Sequence, residues 1–283
     1  MPAQTINIIG AGRVGCTLGR LWHRHGTLQV QAVCNTALGS AQDACNFIGG
    51  GIAVADVRDM PGADFWMIAV PDGHITAVAQ RLADLPGKPA AAFHCSGALD
   101  AATLAPLKQA GWSTASAHCI LSFATRDGAV AQFAGTPCAL EGDAALVARL
   151  QPLFSAIGAQ SFALASADKV LYHAAAVFAT NFLPVLQSLA EGAWAATGMP
   201  AHLILDLRKR LLENAVRNIT SLGPAGALTG PAARGDTFAI ARQAAVVSSW
   251  DAQAGAAYQA LSDLALRMAK ASTEAAATRA TTR

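Results

Sequence analysis

The sequence predicts an α/β domain built on a parallel sheet, followed by an all-α domain. Three observations predict it. Short apolar runs bounded by Gly, Pro, Asn and Asp alternate with stretches of helical spacing up to about residue 160, the pattern of a sheet wound on both faces. From Ala167 onward the chain keeps helical spacing and loses its strand signal. The first apolar run, residues 6–9, leads at once into a glycine turn and then a helix carrying Val14, Leu18, Leu21 and Trp22. The domains are placed at 1–163 and 164–283, with the change of pattern falling in 161–166.

The run 6–9 reads as a buried strand, and Gly10-Ala11-Gly12-Arg13-Val14-Gly15 turns the chain after it. Strand, G-x-G-x-x-G and helix in that order are the context a dinucleotide fingerprint requires. Gly10 permits the tight turn, Gly12 lets backbone approach a pyrophosphate, and Gly15 lets the helix sit close to the strand. The N–H groups of the new helix, which starts with Arg13 and Val14, then face the phosphates at the positive end of its dipole. The first domain is therefore expected to be Rossmann-like.

A second strand, 30–34, ends at Asn35-Thr36, about twenty residues past the glycines, where this fold reads the ribose. No carboxylate stands there. A neutral Asn-Thr pair suits a 2′-phosphate, so NADP is expected over NAD; an ordinary turn is the alternative. Ala41, Ala44, Cys45 and Ile48 mark a short helix, and 64–70 the next strand. Val70 and Pro71, at its carboxyl end, are expected beside the cofactor. Asp72 is placed to cap the helix that carries Ile75, Val78, Ala79 and Leu82. Strands follow at 90–94, 114–118 and 136–140, with helices marked by Leu104 and Leu107, and by Leu146, Leu150, Leu153, Phe154 and Ile157. Asp143 is a candidate cap for the last. The Ala/Thr-rich tail, 272–283, is expected to fray.

Hydrophobic residues make up 53% of the chain and charged ones 13%, enough for a large core with apolar surface left for a subunit interface. A net charge of +2 gives no case for nucleic acid or an anionic membrane as partner. The longest apolar stretch, 174–190, is interrupted by Asn181, Pro184 and Gln187, so no membrane span is expected. The N-terminus has no basic, apolar leader, and the six cysteines form no CxxC pair; reduced thiols and a cytoplasmic location are expected. No His/Cys/Asp group has ligand spacing, so no metal is expected.

The second half opens with Lys169 and His173 one turn apart on a helix face, and Asn181 two turns further. Apolar residues surround them, predicting a buried helix whose polar groups need the partners an active site supplies. The plainer alternative is an exposed lysine and a hydrogen-bonded core histidine. Pro184 predicts a kink just past Asn181. In 227–236, Arg234 could grip a carboxylate or pair with Asp236, and Asp236 could cap the helix that follows. Ser96 and His118 both follow strands, where an open sheet keeps its ligand crevice, or else they satisfy local backbone groups. Ser96 lies in Cys-Ser-Gly, which is not a nucleophile elbow.

Taken in order, Gly10 to Gly15, Val70-Pro71-Asp72, His94-Cys95-Ser96-Gly97-Ala98-Leu99, Lys169 through Asn181, and 228–236 resemble a bacterial family with a Rossmann-like domain and a helical C-terminal domain of unassigned function. Its relatives in the 6-phosphogluconate dehydrogenase-like group include pyrroline-5-carboxylate reductase, ketopantoate reductase and deazaflavin-dependent NADP oxidoreductases. The resemblance covers nearly the whole chain. Cys95 departs from the expected threonine or serine, and Thr36 from an arginine that would support NADP. What the resemblance implies is NADP(H)-dependent reduction of a small oxo or imino acid held between the domains, with ketopantoate the most concrete candidate. Lys169 would protonate or polarise the developing oxyanion, His173 and Asn181 would orient the substrate, Arg234 would hold its carboxylate, and Ser96 and His118 would line the cleft. The competing reading is a non-catalytic NADP(H)-binding redox sensor. A homodimer is expected, because the helices hold more apolar surface than one small bundle can bury.

Overall fold

The computed structural model describes residues 4–87 and 89–281, and the chain forms two compact units, Met1–Asn181 and Phe182–Arg283. The first unit is an eight-stranded sheet in the order β3-β2-β1-β4-β5-β6-β7-β8. Its elements are β1 (Thr5–Ile9), α1 (Arg13–Arg24), β2 (Gln29–Cys34), α2 (Leu38–Ile48), β3 (Ile52–Val54), β4 (Phe65–Ile68), α3 (Ile75–Ala83) and β5 (Ala91–His94). Then come α4 (Ala105–Gln109), β6 (Ser113–Cys119), α5 (Arg126–Gln132), β7 (Pro137–Gly142), α6 (Ala144–Ala156), β8 (Gln160–Ala163) and α7 (Lys169–Ala176). Strand order reverses between β1 and β4, which places the ligand crevice of such a sheet at their carboxyl ends.

Alternation along the strands feeds two cores, one on each face. Ile6 and Ile8 pack with Trp22, Phe65, Met67, Phe93 and Phe154 on one side. Ile9, Ile68, Ile75, Leu82, Leu104 and Leu107 pack on the other. Trp22 meets Phe154 and Phe93 edge-on at 5.3 and 6.3 Å, and each such buried side chain contributes about 1.5–3 kcal/mol.

The expected parallel sheet is parallel only from β3 to β6. β7 runs antiparallel to β6, with β8 parallel to β7. The link after β6 lays α5 against α1 and returns to the strand end it left, where the Ile120 N–H bonds to the Pro137 carbonyl at 2.9 Å; such a return gives an antiparallel neighbour. Two expected caps are also corrected. Asp72 opens a single 3-10 turn, Asp72–His74, without a side-chain capping bond, and its carboxylate instead accepts from Ser96. Asp143 does stand at the N-cap of α6, but its side chain makes no capping bond; it accepts the Thr114 N–H at 2.8 Å and pairs with Lys108.

After α7 the chain makes a π-helical turn, Val177–Asn181, the distortion expected where Pro184 lacks the N–H that would bond to Thr180. The second unit then holds α8 (Phe182–Ala196), α9 (Ala201–Ala227), α10 (Gly230–Ala233), α11 (Thr237–Trp250) and α12 (Ala252–Thr281). α9 breaks at Gly223, φ 71°, before Pro224. Asp236 caps α11 as expected, accepting the Ala239 N–H at 2.9 Å. The tail is helical through Thr281 rather than frayed, and Thr282 and Arg283 lie outside the described residues.

The helix around Lys169 is not buried all round. Val170, Leu171 and Phe178 are 69%, 76% and 67% exposed, whereas Lys169 is 1% exposed. The helical run Ser166–Ala196 is apolar and long enough to cross a membrane by length and composition. Its start, however, is tied into the sheet unit through Lys169.

Candidate functional site

The glycine turn sits at the carboxyl end of β1, against the end of β4. Gly10 has φ +82°, and a Cβ there would stand 2.6 Å from Val70 Cγ1 and 2.8 Å from the Ala69 carbonyl carbon. A Cβ on Gly15 would meet the Gly10 oxygen at 3.0 Å. Both glycines are demanded by the chain's own packing. Gly12 is different, because a Cβ there would meet nothing within 4 Å. Its hydrogen atom faces open space at the start of α1, which has no side-chain cap and no acidic residue in its first turn. An exposed, uncapped helix start behind a bare glycine fits a phosphate group approaching the backbone.

Asn35 closes this turn from the end of β2. Its Oδ1 accepts the Ala11 N–H at 2.7 Å, and its Nδ2 donates to the Ser40 carbonyl at 3.0 Å. The side chain that was expected to face a ribose thus also braces the turn. Thr36 is exposed beside it, Arg13 is exposed at the helix start, and Pro71 is exposed past Val70.

A second cluster lies at the carboxyl ends of β5 and β6, on the same sheet edge. Lys169, first residue of α7, reaches in to donate from Nζ to Ser116 Oγ at 2.7 Å and to the Ser96 carbonyl at 3.2 Å. No ion pair reaches it among the described residues. Burial lowers its pKa, and the carboxylates of Glu141, Asp100 and Asp72 work in the opposite direction. The Ser96 hydroxyl donates to Asp72 Oδ2 at 2.9 Å and accepts the N–H groups of Ala98 and Leu99, so it holds the loop after β5. Buried His94 accepts the Ser96 N–H at Nδ1, and its Nε2 faces the Asp100 carbonyl at 2.9 Å. Burial lowers the His94 pKa.

His118 stands one strand over. Burial pushes its pKa down to about 4, and the neighbouring His173 and Lys169 act in the same direction. Its Nδ1 is 2.9 Å from the Tyr172 hydroxyl, whose own pKa burial raises. The rings of His118 and His173 meet edge-on at 5.5 Å.

The structure therefore brings Lys169, His173, Ser96 and His118 together. The exposed-lysine alternative is excluded by its burial. Asn181 is exposed and its Oδ1 accepts from Thr180. Arg234 follows α10 in the second unit; its alternative pairing with Asp236 does not form, because Asp236 is spent on the α11 cap. Ser116 and Tyr172 belong to the cluster and were not named as site residues from sequence; Asp72, read there as a helix cap, and Gly97, noted only within the His94 to Leu99 stretch, belong to it too. Ser116 lies two residues before His118 on one strand face, and Tyr172 three residues after Lys169 on one helix face. Among the described residues no group of three or more His, Cys, Asp or Glu is placed to hold a metal.

Residues 2–119 match the model of a Rossmann-like domain, and residues 136–265 match that of a domain of unknown function, DUF2520. No curated protein matches the chain. Solved structures share the fold over nearly its full length. A Bacteroides fragilis protein described as an NADP oxidoreductase is 20% identical with a TM-score of 0.75, covering 94% of this chain and 98% of its own. The reductive aminase of Aspergillus terreus, in complex with NADPH and ethyl-5-oxohexanoate, is 13% identical at a TM-score of 0.68, covering 94% of each. The 1-pyrroline-5-carboxylate reductase of Streptococcus pyogenes is 17% identical at 0.61, covering 94% and 99%.

Proposed function

Because the chain joins a Rossmann-like domain to a DUF2520 domain, we propose that it is an NADP(H)-dependent oxidoreductase that reduces a small oxo or imino acid. One observation carries this reading: the buried Lys169 amine is held at the same sheet edge as the open cradle of Gly12. The enzymatic nature of the neighbours, and the NADPH held by one of them, support it.

In this reading residues 1–163 bind the cofactor and 164–283 serve the substrate and the dimer. Gly10, Gly12, Arg13, Val14 and Gly15 hold the pyrophosphate, and Val70 and Pro71 flank the cofactor. Asn35 and Thr36 present no carboxylate to repel a 2′-phosphate, so NADP is favoured and NAD is second. The cofactor, when bound, supplies the hydride. Lys169 is the general acid: burial moves its pKa toward working pH, which suits proton transfer to a developing oxyanion. His173, His118 and Ser96 line the reacting end, and Asn181 helps orient the substrate. Arg234, free of ion pairs among the described residues, is assigned to the substrate carboxylate. The six unpaired cysteines suit a reducing cytoplasm, and we infer a homodimer.

The test mixes protein and NADPH with ketopantoate, other 2-oxo acids and cyclic imino acids, and follows nicotinamide absorbance. Oxidation with one class supports the enzyme and names its substrate. Tight NADPH binding with no oxidation across the panel would favour a redox sensor. Absence of NADPH binding would overturn both.

A further inference from the structure

Glu141 has entered so far only as a charge, yet it joins segments far apart in sequence. It lies on β7 directly opposite Ser116 of β6, and residues so paired project from one face of the sheet. Ser116 Oγ is the oxygen that receives the Lys169 amine at 2.7 Å. The Glu141 carboxylate spends one oxygen on each of two further segments. Its Oε2 accepts the Ala101 N–H at 2.8 Å, at the start of a 3-10 turn, Ala101–Leu104, whose N-cap Asp100 makes no side-chain capping bond. Its Oε1 accepts the Ser166 hydroxyl at 2.7 Å. Ser166 opens the turn Ser166–Asp168, which runs directly into Lys169 and α7.

One side chain thus ties two segments to the same strand: the loop after β5, whose Asp100 carbonyl faces His94, and the turn that delivers the lysine. No cation pairs with Glu141 among the described residues, so its charge is left to act on its surroundings. Burial lowers the Lys169 pKa, and among the carboxylates that oppose this Glu141 acts most strongly, ahead of Asp100 and Asp72. The other groups that act on the amine or feel it are the Cys138 thiol on β7, Cys95 after β5, and His94 and His118 on β5 and β6. His173 lies one turn further along α7. Burial lowers the pKa of both strand imidazoles, so neither competes as a cation near neutral pH.

We propose that Glu141 is the positioning residue of Lys169: its carboxylate anchors the turn that opens α7 to the sheet edge, and it stands as counter-charge across the ladder from the hydroxyl that holds the amine. A general acid must keep its proton until the oxyanion develops, and a nearby anion favours the charged amine. The effect on turnover rests on the oxidoreductase reading; the anchor and the counter-charge do not.

Two variants separate the two roles. Glu141→Gln keeps the shape: its carbonyl can still accept the Ala101 N–H and its amide can donate to the Ser166 hydroxyl, so the charge alone is lost. Ser166→Ala, at an exposed position, keeps the charge and loses the anchor. Carbon spectra of the full chain labelled at the lysine side chains follow the amine through its titration, with the Lys169 signal assigned by its loss in Lys169→Met. Glu141→Gln should lower the Lys169 midpoint by about one pH unit, and Ser166→Ala should leave it in place. Hydrogen exchange over residues 166–173 should quicken roughly fivefold in Ser166→Ala and stay near wild type in Glu141→Gln. With an accepted substrate, the alkaline limb of kcat/KM should move to lower pH in Glu141→Gln by the same amount as the midpoint, because the acid is lost as pH rises through its pKa. An unmoved Lys169 midpoint in Glu141→Gln would overturn the counter-charge, and unchanged exchange in Ser166→Ala would overturn the anchor. A shifted midpoint with no turnover of any substrate would uphold the counter-charge and strike the oxidoreductase reading.

Discussion

Lys169 is where burial and chemistry meet at the scale of one residue. Its amine is buried with two neutral oxygen partners and no ion pair among the described residues, an arrangement that costs stability and that clusters at functional sites. Lys169→Met fills the volume and removes the proton. It should lower kcat by about 10²-fold or more while NADPH affinity, measured by fluorescence titration, stays within about twofold. Unchanged turnover would remove Lys169 from the reaction. His118 carries a prediction of opposite kind. Its folded pKa, about 4, lies below the unfolded value of roughly 6.5. The unfolded chain therefore binds the extra proton between those values, so stability is complete above the upper one and drains away as pH falls toward the lower. Tm should fall across that window, and His118→Gln should flatten part of the fall, with His94 supplying another part. The i, i+4 spacing of Lys169 and His173 was legible in the sequence. That the lysine turns inward, while its apolar neighbours Val170 and Leu171 face out, was not, because only the sheet edge supplies the Ser116 and Ser96 oxygens that draw it in.

At the scale of the element, the glycine turn separates fold from function. Gly10 and Gly12 look alike in sequence, yet the protein's own packing requires only the first; the second is left to the cofactor under the proposed function. Gly10→Ala places a Cβ at φ +82° into Val70 and the Ala69 backbone and should destabilise the chain by about 2–5 kcal/mol, read as a lower denaturant midpoint. Gly12→Ala meets open space, so the midpoint should hold while the Kd for NADPH rises at least tenfold. Equal NADPH affinity in Gly12→Ala would mean the pyrophosphate lies elsewhere. Long apolar strands and the α11 cap were legible because their signals are local. β3 has three residues and α5 has one buried side chain, Ala129, too little pattern to read. Periodicity also carries no strand direction, so the reversal at β7 was invisible. Asp72 and Asp143 looked like caps, but Ser96, Thr114 and Lys108, distant in sequence, compete for those carboxylates and win.

The whole molecule leaves apolar helix faces uncovered. Val216, Ile219 and Leu222 recur at three-residue spacing on α9 and are 58%, 48% and 62% exposed; Phe238 and Val246 on α11 are 73% and 70% exposed. A chain with 13% charged residues has little polar surface with which to dilute such faces, and contiguous patches of this kind mark an interface. A second copy is the economical partner, since a two-fold contact buries the same patch twice. Light scattering should therefore give a mass near twice the 28.9 kDa of one chain. Val216→Glu with Ile219→Glu should reduce it to a single chain, because each buried carboxylate would lose its water without gaining a partner. NADPH binding should survive in that variant, since the glycine cradle and its braces lie wholly within the first unit. A wild-type monomer at micromolar concentration would sink the homodimer. Loss of NADPH binding on dissociation would instead show that the cradle is held in shape by the second copy, which the internal bonds of Gly10, Ala11 and Asn35 argue against.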